Sequence, residues 1–162
     1  MSIRGGMYRF MPRLTNHDYL QRHQFLKDLW NSDFQCLFGV LSSSRQWLIH
    51  RYYQPAKDLT TEELLAYRKT ITTAEPTLPH RASRALHYMV RVYELAHAQY
   101  QVANRNPQVF RRALRPYLPS SRVGKRTYYI TAIARPEPDY ERMARARIAL
   151  AEYFTMQEKE AA

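Results

Sequence analysis

The sequence predicts a mainly α-helical fold, a compact single domain with at most a small β-ribbon near residues 122–133. Three observations predict it. Apolar residues recur at spacings of three and four over most of the chain, the period that lines one face of a helix. Gly is scarce, at 4 of 162 residues, while 9 Pro stand between the periodic runs, a balance that disfavours a sandwich or barrel built on Gly-rich turns. Ser, Thr or Asn precedes several of those runs, where a side-chain oxygen can cap a helix start.

The elements follow in order. Residues 1–14 read as a flexible arm, and residues 15–162 as one helical domain. Thr15 with Asp18 three residues later forms a capping box, and Tyr19, Leu20, Phe25, Leu26, Leu29 and Trp30 supply the apolar positions behind it. Phe34 to Val40 is a second helix or a broken continuation of the first. Ser42, Ser43 and Ser44 are successive cap candidates for a helix carrying Trp47, Leu48, Tyr52 and Tyr53, which Pro55 ends. Thr60 and Glu63 form another capping box, opening a helix with Leu64, Leu65, Tyr67 and Ile71 that stops near Thr72 or Thr73.

Glu75-Pro76-Thr77-Leu78-Pro79 is a rigid connector and the best internal sub-boundary, at 75–79. The longest helical pattern runs from His80 to about Arg105 on a stripe of Ala82, Ala85, Leu86, Met89, Tyr93, Ala96, Tyr100 and Ala103. Asn106-Pro107 breaks it and opens a short helix through Val109, Phe110 and Leu114. Val123-Gly124-Lys125 reads as a turn, and Thr127 to Ile133, rich in β-branched and aromatic residues, is the best strand candidate. A last helix is expected after Pro138, with Asp139 and Glu141 at its start and Tyr140, Met143, Ala144, Ile148, Ala151 and Phe154 on its apolar side.

Charge is distributed unevenly. Lys and Arg number 25 against 14 Asp and Glu, a net charge of +11. Residues 79–126 hold ten of those cations and a single acid, Glu94, so most of the surplus lies in the middle of the chain. There Arg105, Arg111, Arg112, Arg115, Arg122, Lys125 and Arg126 interleave with Tyr117, Tyr128 and Tyr129. Guanidinium groups pair with phosphate through a planar fork, and exposed aromatic rings stack on unpaired bases. Arg105, Arg111, Arg112, Arg115, Arg122, Lys125, Arg126, Tyr128 and Tyr129 are therefore the candidate nucleic-acid-binding residues, in a groove better suited to single-stranded DNA or RNA than to reading a duplex. The alternative is ordinary packing: Tyr128 and Tyr129 on opposite sides of a strand, at least one of them turned into the core, and Arg stems lying over apolar surface.

No catalytic constellation stands out, and no cofactor is implied. Gly124-Lys125 resembles the end of a phosphate-binding loop, but Pro119 occupies the position of its first Gly and Arg126 that of its Ser or Thr. With Cys36 as the one cysteine, a disulfide framework and a thiolate zinc site are both excluded, and Cys36 is expected to pack. His17 with His23 and His80 with His87 lack a carboxylate at ligand spacing, so no metal site is expected. The start of the chain has no long apolar core of a signal peptide, and no stretch approaches the ~20 apolar residues of a membrane span, so a cytoplasmic protein without membrane contact is expected.

Four strings carry a family resemblance: Tyr8-Arg9-Phe10-Met11-Pro12-Arg13-Leu14-Thr15, Leu41-Ser42-Ser43-Ser44-Arg45-Gln46, Tyr52-Tyr53-Gln54-Pro55 and Leu78-Pro79-His80-Arg81-Ala82-Ser83-Arg84-Ala85-Leu86. They resemble the replication gene B proteins of P2-like temperate phages. The resemblance implies an early replication protein in the host cytoplasm that engages the host replicative helicase, DnaB, and helps place it on DNA. Lacking a nucleotide-binding loop, such a loader would act by binding energy alone. Residues Met7 to Leu14 are one candidate helicase contact, or else fold back on the core. The basic segment taken by itself fits equally a stand-alone DNA- or RNA-binding regulator, or an inhibitor that meets an acidic host protein.

Overall fold

Caps set the helix starts. In the computed structural model, which describes residues 14–134, 137, 140, 141 and 143–149, Thr15 accepts from the Asp18 amide at 3.1 Å and the Asp18 carboxylate accepts from the Thr15 amide at 3.2 Å. This box opens α1 (Asn16–Trp30). A 3-10 segment, Asp33–Val40, follows with Ser32 as its cap, so the continuation is broken and tighter than an α-helix. Next come α2 (Ser43–Tyr53), α3 (Thr61–Ala74) behind the Thr60–Glu63 box, α4 (Leu78–Val102) and α5 (Pro107–Leu114), and then an antiparallel hairpin of β1 (Ser120–Val123) and β2 (Arg126–Tyr129). The fold is mainly α with one small ribbon. Ser42 lies at the α2 cap position without a side-chain bond to the helix.

At the connector, Leu78 and Pro79 already belong to the first turn of α4, where a proline needs no amide partner. Leu78 is buried in the same core as residues of α1 and α2. Residues 1–13, and with them most of the expected arm, lie outside the described residues. So do Ala151 and Phe154. The backbone is helical over 143–149, and Tyr140, Met143 and Ile148 of the expected apolar side are exposed.

The core is organised around the last turn of α2. The final carbonyls of a helix have no partner within it. Here the Tyr19 hydroxyl donates to the Tyr52 carbonyl at 2.9 Å, His23 Nδ1 donates to the Tyr53 carbonyl at 2.7 Å, and the Tyr67 hydroxyl donates to the Arg51 carbonyl. α1 and α3 are thus bonded to the end of α2. Tyr19 also packs edge-on to Tyr52 and stacked on Tyr53, with ring centroids 5.3 and 5.6 Å apart. Arg22 adds a bond to Ser83 at 3.0 Å, tying α1 to α4. Gln54, at φ 51°, turns the chain away from α2 in the left-handed conformation common at helix ends.

His50 is buried one turn earlier, with its ring 4.7 Å from Trp30 and 5.6 Å from Phe38. Neither ring nitrogen has a hydrogen-bond partner among the described residues. Burial lowers its pKa from the usual 6.5 to about 4. The unfolded chain therefore takes up a proton between those values and the folded chain does not, so stability falls as pH drops through this window. The loss should reach about 3 kcal/mol by pH 4. Chemical unfolding at pH 7 and pH 4.5 will show that loss in the natural chain, and His50→Phe will remove most of it.

Candidate nucleic-acid interface

The candidate interface lies where α5, the hairpin and the 3-10 segment meet. Asn106 caps α5 by accepting from the Gln108 amide at 2.9 Å, and Pro107 takes the first helical position. Phe110 and Leu114, one turn apart, are buried, and the Phe110 ring lies 4.5 Å from that of Phe34. This anchoring leaves Arg111 and Arg115, also one turn apart, on a common outward side.

After a 3-10 turn at Arg115–Tyr117 the chain enters the hairpin. Val123 pairs with Arg126, so Gly124 and Lys125 form a two-residue loop. Gly124 has φ +61° and Lys125 is not left-handed, the pattern of a type II′ turn with glycine at its first central position. The expected strand from Thr127 to Ile133 ends early: β2 stops at Tyr129, with one further bond from the Ile130 amide to the Pro119 carbonyl at 2.8 Å. Pro119 offers no amide in return, and the chain leaves the ribbon.

A hairpin with both strands exposed is marginal alone. Residues 131–134 hold it to the helical body. Gln46, 1% exposed, donates to the Ala132 carbonyl at 2.7 Å and accepts from the Ala134 amide at 2.5 Å, while also donating to the Leu41 carbonyl at 3.0 Å. Thr131 lies so close to Gly39 that a Cβ there would stand 2.6 Å from Thr131 Cγ2 and 3.2 Å from its Cα. The extended segment therefore requires glycine beneath it and an amide side chain beside it.

These contacts enclose an open groove of about 680 Å³. Arg111 and Arg115 stand on one wall, Tyr128 and Tyr129 border another, and Asp33 and Gln35 come from the start of the 3-10 segment. The Arg115 guanidinium carbon lies 5.3 Å from the centre of the Tyr129 ring. Stacking leaves the in-plane N–H groups of the guanidinium open to an acceptor. Tyr128 and Tyr129 are 51% and 44% exposed, so neither is a core residue.

Cys36 is half-buried at this groove as well as touching the core. Burial pushes its thiol up, against the opposing charge and hydrogen bond of Arg111, so it stays protonated at neutral pH.

Not every expected residue borders the groove. Arg112 is exposed, next along α5 from Arg111. Arg105 lies before α5, left-handed at φ 59°. On the ribbon, Arg122 shares a face with Thr127 and Tyr129, whereas Arg126 shares the opposite face with Tyr128, and Lys125 sits at the tip. All seven basic residues are exposed. Among the described residues the ion pairs are Lys27–Asp58, Arg51–Glu75, Lys57–Glu137 and Arg145–Glu141, none of which uses a member of this cluster. Gly124-Lys125 lies at a hairpin tip, not between a strand and a helix as a phosphate-binding loop would.

Among the described residues no group of His, Cys, Asp and Glu is placed to hold a metal ion, and no helix is long and apolar enough to cross a membrane. No family model matches the chain, and no curated protein or solved structure is detectably similar to it.

Asp33, Gln35, Gly39 and Gln46 were not singled out by sequence. A lone glycine inside the apolar run Phe34 to Val40 was a signal of close backbone approach. Gln46 carried none.

Gln46→Ala is expected to release residues 120–134, and Gly39→Ala to push Thr131 outward. Amide hydrogen exchange should then accelerate in the hairpin while α1, α2 and α4 keep their protection, with a global cost of about 1–3 kcal/mol for each variant.

Proposed function

We propose that this chain is a phage replication accessory protein that binds the host replicative helicase, DnaB, and helps load it onto single-stranded DNA without ATPase activity of its own. The observation that carries the DNA-binding half is the groove lined by Arg111 and Arg115, two guanidinium groups without a carboxylate partner among the described residues, together with the exposed Tyr128 and Tyr129. Phosphates of a single strand would lie along α5, and a base would stack on the Arg115 guanidinium that covers Tyr129, with Tyr128 offering its ring on the other face of the ribbon. Arg115, held over Tyr129, is already oriented, which lowers the ordering cost of binding. Arg122, Lys125 and Arg126 would extend the electrostatic field along the ribbon, and Arg105 and Arg112 along α5.

The helicase half rests on the resemblance of the four strings to replication gene B proteins. Loading would follow from preferential binding to one state of the helicase ring, since a ligand shifts a conformational equilibrium only by its differential affinity. A stand-alone single-strand-binding regulator is the second reading, favoured by the fact that one chain supplies all the groove residues named here.

Two measurements test this. In the double variant Arg111→Glu, Arg115→Glu, affinity for a single-stranded oligonucleotide should fall about tenfold or more. The slope of log affinity against log salt should become shallower by about 1.4, for two lost phosphate contacts. Unchanged affinity removes the groove from the account. Purified helicase should be retained by the immobilised chain at low salt, with or without the strand; absence of that complex, with strand binding intact, leaves the stand-alone regulator.

A further inference from the structure

The two long walls of the groove differ in chemistry. The α5 wall is cationic. The wall from the 3-10 segment carries Asp33 and Gln35, one an anion that a purely phosphate-binding groove would be better without. Asp33 is not needed to cap the segment, because the Ser32 hydroxyl already accepts from the Phe34 amide at 3.2 Å. Among the described residues its carboxylate forms no ion pair or hydrogen bond, and neither does the Gln35 side-chain amide. Both side chains are available to a ligand in the groove.

A carboxylate accepts two parallel N–H bonds, and a side-chain amide donates one and accepts another. Guanine alone among the common bases presents two adjacent donors, N1–H and the N2 amino group, on its Watson–Crick edge, with the O6 acceptor beside them. Adenine and cytosine set an acceptor next to their one amino group, and thymine and uracil flank a single N–H with two carbonyls. Unpaired bases in a single strand expose this edge while their faces stack on aromatic rings.

Resting on the single-strand reading of the groove, we propose that it selects guanine: Asp33 accepts from N1–H and N2–H, Gln35 donates to O6, the ring stacks on the Arg115 guanidinium that covers Tyr129, and Arg111 with the in-plane N–H groups of Arg115 holds the flanking phosphates.

The test uses the full chain and fluorescein-labelled oligonucleotides followed by anisotropy: oligo-dT, the same oligomer with one central guanine, and one with hypoxanthine, which lacks the N2 amino group, at that position. Oligo-U with and without one guanine forms the ribonucleotide arm. Guanine should tighten binding about fivefold or more, in the polymer the protein prefers, and hypoxanthine should lose most of that gain. Asp33→Asn, a change at an exposed position, should abolish the guanine preference while oligo-dT affinity stays the same or rises. Gln35→Ala should weaken the preference in part. Equal affinity for guanine and thymine, or a preference that survives Asp33→Asn, overturns guanine selection and leaves single-strand binding standing. Failure to bind any oligonucleotide overturns both.

Discussion

The last turn of α2 leaves three main-chain carbonyls, at Arg51, Tyr52 and Tyr53, that the helix itself cannot satisfy, and their partners determine how the other helices sit. Tyr67 of α3 and the side-chain amide of Gln54 share the first, and Tyr19 and His23 of α1 serve the other two. A buried carbonyl without a donor loses about 1–3 kcal/mol, so Tyr19 and His23, sole donors to the buried Tyr52 and Tyr53 carbonyls among the described residues, cannot move far. α1, held there, also brings Arg22 to Ser83 on α4. One helix end thereby positions the three helices packed against it, and the aromatic rings fill the space between.

The other end of α2 performs a different task with the same chemistry. Gln46 bonds main-chain groups at Leu41, Ala132 and Ala134, joining the 3-10 segment to the chain that leaves the hairpin. Gly39 removes the one methyl-sized obstacle to that approach. The ribbon has no buried face of its own, so its place beside α5 is inherited from these contacts. The groove exists because the clamp holds the ribbon beside α5, with Tyr129 against Arg115, while Phe110 and Leu114 hold Arg111 and Arg115 outward.

Electrostatics then gives the groove its character. The basic residues of the middle segment meet no carboxylate partner among the described residues, so their field reaches solvent undiminished by internal pairing. Acidic partners are drawn elsewhere: Glu75 to Arg51, Asp58 to Lys27. Asp33 is the exception, a carboxylate at the groove with no cation of its own. On this charge pattern rests the proposal that a single strand binds here, phosphates toward α5 and bases toward the 3-10 segment.

Local chemistry was legible in the sequence. The capping boxes at Thr15 and Thr60, the breaks at Pro55 and Asn106-Pro107, the long period of α4 and the turn at Gly124 all depend on residues within four positions of one another, and each stands where the pattern put it. The uneven charge was legible for the same reason, since it needs only counting. Tertiary structure decided which of the nine candidate residues share a groove, since Arg111, Arg115, Tyr128 and Tyr129 meet only through the fold of the ribbon onto the helices. It also ended β2 at Tyr129, because a bond from Gln46, more than eighty residues earlier in the chain, outcompetes a ladder that Pro119 cannot continue. Such long-range pairings leave no periodic trace: a buried glutamine reads in sequence as an ordinary surface residue until the backbone it serves arrives beside it.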